Sequence, residues 1–415
     1  MNIKKIISVS AGSVLLLFSK QAIAQHGQNS LYSAFAIGDL DEHDYSRNFG
    51  LGSAGMARKS VGFLNELNPA SYSGIPTQNF ILEGALNFKL VGYKGNEINQ
   101  TGGDFAFRRV ALGFNIMPGR WGASIGFQPY SSIDYKLLET KYITGTSTPL
   151  NASVEGSGGL NRVYFSNGVR VTKNLSLGLS SAFLFGPINS KETFEDNITN
   201  GSIYTQRSAY GFNANFTLGA QYHAPLAGKW ALDLGATYRF KTSLHMKPKI
   251  NINNSSDESL FEDDLANTNF NLPEAYGGGF SLTNNRLTIV GDYRHEAWDG
   301  LNKPTTYQLK NSDRIAGGIE YSLSKAYYNG QLEGKLLQLG ASHNKSYLNI
   351  DGKSIMDNAV TVGISIPQGY VLRYSLGLEI GRRGTMSSGL VQETYVNAVF
   401  HLTFRDIWFV KRKEY

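Results

Sequence analysis

From about residue 78 to the C-terminus the chain alternates apolar and polar residues in one segment after another. Trp230, Leu232, Leu234, Ala236, Tyr238 and Phe240 fall on one side of such a segment; Asp233, Gly235, Thr237, Arg239 and Lys241 fall on the other. Leu372, Tyr374, Leu376, Leu378 and Ile380 are interleaved in the same way with Arg373, Ser375, Gly377, Glu379 and Gly381. Successive side chains of a β-strand face opposite sides, so each segment presents an apolar face and a face of charge or glycine. A soluble sandwich buries the apolar face. A membrane barrel turns it to lipid and keeps the polar face around a lumen.

The N-terminus carries an export pattern. Lys4 and Lys5 form a positive region, Ile6 to Phe18 an apolar one, and Ala22-Ile23-Ala24 a small-x-small cleavage signal. The apolar run is shorter than the roughly 20 residues a spanning helix needs. Residues 1–24 therefore read as a cleavable signal peptide, with Gln25 opening the mature chain. No later run is long and apolar enough to span as a helix, and the absence of cysteine excludes a disulfide framework. An exported chain of this kind suits the bacterial outer membrane. A formal charge of +6 points to lipid headgroups or diffuse solvated charge rather than to nucleic acid.

Alternation and turn signals mark about fourteen strands, at roughly 78–93, 102–117, 120–140, 160–172, 174–187, 202–223, 228–246, 272–284, 286–298, 312–325, 333–345, 357–366, 369–382 and 391–405. Their connections alternate in length. Pro118-Gly119-Arg120, Thr172-Lys173-Asn174, Pro225 to Gly228, Asn284-Asn285 and Pro367-Gln368-Gly369 are tight, with Ser324 to Glu333 the one longer member of that series, whereas the intervening connections, among them 141–159, 188–201, 247–271, 299–311 and 346–356, are mostly long and polar. An up-and-down barrel has short turns on one side and long loops on the other, and a sandwich has no reason to do so. The fold expected is an all-β transmembrane antiparallel up-and-down β-barrel over residues 78–409, followed by a basic C-terminal tail at 410–415. Leu232, Leu234, Leu376 and Leu378 belong to its lipid-facing band, and Tyr130, Tyr135, Phe240, Tyr321 and Tyr374 to its interfacial girdles.

Residues 25–77 lack strand periodicity. They hold a Gly-rich stretch, Phe49-Gly50-Leu51-Gly52-Ser53-Ala54-Gly55-Met56, and Asn65-Glu66-Leu67-Asn68-Pro69-Ala70-Ser71. Small residues permit close backbone packing, and the segment is long enough to fold back into the lumen as a plug.

A signal peptide, Gly-Leu-Gly-x-Ala-Gly, Asn-Pro-Ala and then a long fourteen-stranded barrel resembles the FadL outer-membrane transport family. Gly50, Gly52, Gly55, Asn68, Pro69 and Ala70 are the matching positions. The resemblance implies an N-terminal hatch inside the barrel, with Asn-Pro-Ala within it, and passage of hydrophobic compounds such as long-chain fatty acids or aromatic hydrocarbons. The basic and aromatic ending, Asp406 to Lys413, departs from the family pattern.

Nothing in the sequence has the spacing of catalytic or cofactor chemistry. The seven histidines are scattered without metal-ligand spacing, and no nucleophile elbow or phosphate loop appears. His401 or His295 with Ser375 or Asp292 is the nearest approach to a hydrolytic set, and the chain is read as a non-enzyme without cofactor. The acidic run Asp257 to Asp264 lacks calcium-loop spacing and reads as solvated charge. The function expected is passive, plug-gated transport of a hydrophobic small molecule, the alternative being a non-transporting subunit or scaffold of an outer-membrane protein complex. Candidate hatch contacts are Tyr32, Phe35, Phe49, Leu51, Met56, Asn68, Pro69 and Ala70. Arg239, Arg294, Arg373 and Glu379 are candidate polar residues of the lumen. Expected partners are outer-membrane lipids and lipopolysaccharide, the hydrophobic ligand and possible outer-membrane proteins.

Overall fold

A computed structural model describes residues 30–407, apart from 97, 143–148, 197–200, 305, 324–326, 329–330 and 333. The expected signal peptide, Trp408-Phe409 and the basic tail lie outside these residues. The wall consists of fourteen antiparallel strands: β1 (Asn79–Lys94), β2 (Asn99–Met117), β3 (Trp121–Pro129 and Ser131–Tyr142), β4 (Pro149–Gly158 and Asn161–Arg170), β5 (Leu175–Asp196), β6 (Gly201–Pro225), β7 (Ala231–Arg239 and Thr242–Asn254), β8 (Ser259–Asp264, Thr268–Leu272 and Ala275–Thr283), β9 (Leu287–Glu296), β10 (Ser312–Ser322), β11 (Leu336–Ile350), β12 (Lys353–Gln368), β13 (Leu372–Arg383) and β14 (Gln392–Ile407). Each pairs with its neighbours in sequence, and β14 returns to β1 along its whole length, Asn79 opposite Ile407 and Lys94 opposite Gln392. The barrel is closed.

Its polarity is inside out relative to a soluble protein. Phe88, Leu234, Ile319, Val362, Leu376 and Leu378 are exposed, whereas Glu83, Arg109, Glu320, Arg373, Glu379 and His401 are buried. Hydrocarbon is the solvent that suits such an exterior. There, each unpaired backbone group costs several kcal/mol, roughly 4–8 on a water-to-alkane scale, so only a closed wall is stable.

The two mouths differ. Tight reversals such as Met117 to Trp121 and Gln368 to Leu372 join the strands at one end. At the other end β5 and β6 run on for 22 and 25 residues, against 10 for β9. Stretches expected as loops at 141–159, 188–201 and 247–271 are largely strand, with Pro149–Gly158 paired to β3 and Ser259–Asp264 to β7. In these extensions charged and amide residues dilute the apolar positions, so the alternation that reveals strands fades. Tyr130 also departs from expectation: it packs against a buried apolar cluster and not at an outer girdle.

Residues 30–78 lie in the barrel interior as short 3-10 turns (Leu31–Ala34, Phe49–Leu51, Pro69–Gly74) and a two-residue strand, Asp39–Leu40. That strand pairs with Ser131 and Ser132 of β3. β3 bends at this point. Below the bend it pairs with β2 up to Val110 opposite Phe127; above it, β3 stays with β4 and leaves β2.

Candidate functional site

The interior is organised by charge. Glu320 of β10 receives Arg58 at 2.9 Å and Arg47 on its other oxygen at 3.1 Å, while Gln338 of β11 donates to the same carboxylate at 2.7 Å. Arg109 of β2 donates to Asp44 at 3.2 Å and to the Leu64 carbonyl at 2.9 Å, and Glu83 of β1 accepts from the Leu64 amide at 2.9 Å. Arg383 of β13 holds Asp39 at 2.6 Å. Glu393 of β14 accepts from the Ser30 hydroxyl and the Leu31 amide, each at 2.9 Å. Asp292 of β9 accepts the backbone N–H groups of Gly55 and Met56 at 2.7 and 2.9 Å. Buried charges are tolerable only when paired in this way. Burial would push the His43 imidazole down, yet the Glu379 and Asp41 carboxylates beside it together outweigh that and hold it up at about 10.

Backbone fit accompanies the charge. The inward faces of the strands carry glycine where the segment comes closest: a Cβ at Gly235 would stand 2.5 Å from the Met56 carbonyl oxygen, and one at Gly318 would stand 2.8 Å from the Leu51 Cα. Gly122, Gly178, Gly340 and Gly377 are occupied likewise by Tyr72, Pro69, Leu51 and Phe49. The Asn-Pro-Ala motif has a structural role here. Asn68 accepts from the Ala70 amide at 3.0 Å and so caps the turn Pro69–Gly74, while its amide nitrogen donates to the Ala220 carbonyl at 3.0 Å. Proline at the first position of the turn costs no hydrogen bond.

The mouth away from the tight turns is filled by apolar side chains. Leu160, Leu184, Leu244, Leu272, Trp298, Tyr347 and Ile355 from seven regions of the wall and its connections pack with Tyr32 and Ile37. Trp298 stacks on Tyr347 at 4.5 Å between ring centroids. Deeper in the barrel are cavities of about 80 and 140 Å³. Their linings are charged: Asp39, His43, Arg108, Glu379 and Arg383 in the first, Glu66, Arg162, Arg239 and Arg294 in the second.

The candidate residues do not form one site. Tyr32 and Phe35 belong to the mouth cluster, Phe35 lying edge-on to Tyr307 at 5.3 Å. Phe49 packs with Tyr45 and Val399, Leu51 with Val290 and Ala316. Met56 and Pro69 line the second cavity with Arg239 and Arg294, and Ala70 is buried against Gly178. Arg239 donates to Glu296 at 2.7 Å and Arg294 pairs with Glu42. Arg373 donates to the Gly334 carbonyl at 3.2 Å, near the tight turns and away from the others. Ser375 stands opposite His401, but its hydroxyl bonds Ser365 at 2.9 Å while His401 lies 3.4 Å from Glu83. Asp44, Arg47, Arg58, Glu83, Glu320 and Glu393 escaped the sequence reading, since the partners that hold them lie on other elements, from 19 residues away for Glu83 and Leu64 to 363 for Glu393 and Ser30.

Among the described residues the wall shows a lateral break. Beyond Val110 the edge of β2, residues 99–109, pairs with no strand on the β3 side among the described residues. A cleft of about 1070 Å³ opens there, lined by Thr101, Gly102 and Gly103 on one side and Asp134, Tyr135 and Lys136 on the other.

Comparison with known proteins separates fold from family. The toluene transporter TodX of P. putida superposes with a TM-score of 0.61 at 15% identity, covering 90% of this chain and 100% of that one. A FadL homologue of Pseudomonas aeruginosa gives 0.59 at 13%, with 90% and 100% covered. The Ralstonia pickettii toluene transporter TbuX gives 0.56 at 16%, with 86% and 97% covered. At such identities the likeness is one of fold. A search of curated proteins finds no match. The sequence model of the family described as BamG matches residues 2–414, nearly the whole sequence, and the chain belongs to the BamG family.

Proposed function

We propose that this protein is a subunit of an outer-membrane protein assembly, a filled barrel that serves its partners as a membrane-embedded scaffold. The observation that carries the reading is the anchoring of residues 30–78 on all sides of the lumen by buried ion pairs and glycine contacts. Releasing the segment would strand several charges, and breaking a single buried pair already costs about 3–5 kcal/mol. The apolar mouth cluster and the small cavities support the same reading, since the first is packed with side chains and the second are lined by charge. The family name points to an assembly of several proteins. Purification of the tagged chain from its native membrane in mild detergent tests it: a stoichiometric protein partner and a non-conducting barrel in planar bilayers are expected. An isolated barrel that conducts, or that takes up hydrocarbon, contradicts it.

The lateral break favours a second reading, in which residues 30–78 act as a plug that shifts to let a hydrophobic small molecule pass from the mouth into the bilayer. The fold shared with the toluene transporters TodX and TbuX supports it. Deleting residues 26–56 should then change uptake of toluene or a fatty acid into proteoliposomes while the barrel still assembles. Unchanged uptake of every compound tried would remove this reading.

A further inference from the structure

The free edge of β2 sits where a strand edge is least tolerable. Phe105 and Phe107 point outward with 67% and 45% exposure, and Phe105 pairs with Phe88, itself 47% exposed. Thr101 to Arg109 therefore cross the depth of the apolar band, and in hydrocarbon a row of unpaired backbone N–H and C=O groups is strongly unfavourable. The chain covers the start of the opposite side of the break by itself. Asp39 and Leu40 add to the edge of β3 at Ser131 and Ser132, and the Asp134 amide donates to the Ser33 hydroxyl at 3.1 Å. Nothing among the described residues does the same for β2. Its inner side is instead fixed in place: Arg108 donates to Asn87 at 2.7 Å and to Asp104 at 3.0 Å, and lies 3.8 Å from Asp41. The edge is held ready rather than loose.

Resting on the subunit reading, the geometry points to strand addition: the edge of β2 from Thr101 to Arg109 takes an extended segment of a partner protein, which pairs with it and closes the break. The surroundings specify that segment. Its outward side chains lie beside Phe105 and Phe107 in lipid and are apolar. Its inward side chains enter the cleft beside Asp134, Lys136 and Glu155 and are polar. Gly102 and Gly103 allow close backbone approach at the upper end. The partner is thus a strand of alternating polarity like those of this wall, from a second membrane barrel or from a chain inserted beside one. Main-chain pairing supplies the attraction and alternate side chains the selectivity. An apolar outward groove lined by Phe88, Phe105, Leu376 and Phe400 adjoins the edge, so the flank of the partner also finds a concave surface.

The test places a photo-crosslinking amino acid, one position at a time, at Thr101, Phe105 and Phe107 of the full chain in its native membrane. Leu234, on the lipid face of β7 away from the edge, is the control, and the heat-modifiable gel mobility of a folded barrel checks each variant. The expected result is protein adducts at the three edge positions and lipid adducts at Leu234. The crosslinked site on the partner should move along one extended segment by about two residues for every two on β2, as a strand ladder requires. Adducts with lipid or lipopolysaccharide alone at the edge overturn the proposal, as do protein adducts scattered without register. If a partner still co-purifies in those cases, only strand addition fails. If none does, the subunit reading fails with it.

Discussion

Arg58 and Glu320 meet in the barrel interior with 2.9 Å between Nη2 and Oε1, both buried, one on the N-terminal segment and one on β10. Arg47 leans on the same carboxylate. Glu320→Ala leaves two guanidinium groups in a poorly solvated interior without their counter-charge, at a cost of about 3–5 kcal/mol. Amide exchange followed by mass spectrometry should show residues 44–58 losing protection while the wall strands keep theirs. Unaltered protection at 44–58 would mean that the ion pairs do not hold the segment.

Asp292 offers a milder lesion. Its Oδ2 is the acceptor for the Gly55 and Met56 amides, and Asp292→Ala orphans both. Each unsatisfied buried donor costs about 1–3 kcal/mol. Exchange at those two amides should rise by orders of magnitude with a smaller effect beyond Arg58; equal effects across the whole segment would contradict this local account.

Steric eviction tests the glycine fit separately from charge. Gly340→Leu places a side chain where the Leu51 backbone stands, and Gly235→Leu does the same to Met56. Both glycines are on the inward face, so wall hydrogen bonding is untouched. Each variant should still show folded gel mobility yet open ion conductance in planar bilayers. A closed variant would show that the segment yields without leaving.

Acidity acts through His43. Against its burial, the Glu379 carboxylate 3.0 Å from Nε2 and the Asp41 carboxylate 3.4 Å from Nδ1 together raise the imidazole to about 10, above the roughly 6.5 of an unperturbed histidine. A raised value means the contribution is fully present below pH 6.5 and is lost as pH climbs through 10. Proteolysis of residues 39–47 in the detergent-solubilised protein should accelerate over that window, and His43→Gln should abolish the pH dependence. A profile unchanged by the substitution would assign the effect elsewhere.

The wall was legible because its period is a local property. Leu372 to Gly381 reads as a strand from ten residues alone, and the glycines at 235 and 377 already stood on the polar face of the alternation. The tight turns were legible for the same reason. The pairing of charges was not, because Ser30 and Glu393 meet across 363 residues and no local pattern encodes which arginine finds which acid. Trp298 and Tyr347 sit in or beside segments that read as polar loops, and only the closed barrel brings them together in one apolar cluster. The break beside β2 depends on a bend at Pro129 and Tyr130 and on pairing with Asp39 and Leu40; alternation continues through it undisturbed.

The anchoring of the N-terminal segment sets an order of events in time. Residues 30–78 are synthesised first, yet their partners include Glu379, Arg383 and Glu393 on the last two strands. Contacts at such separation form late, after most of the loop-closure entropy has been met. The segment also interlocks with glycines on the inner faces of strands from β3 to β13, a fit that a finished tube would have to admit by end-on threading. Filling and closing are therefore one step: the seam between β14 and β1 shuts around a segment already in place, and a barrel that closes early closes empty.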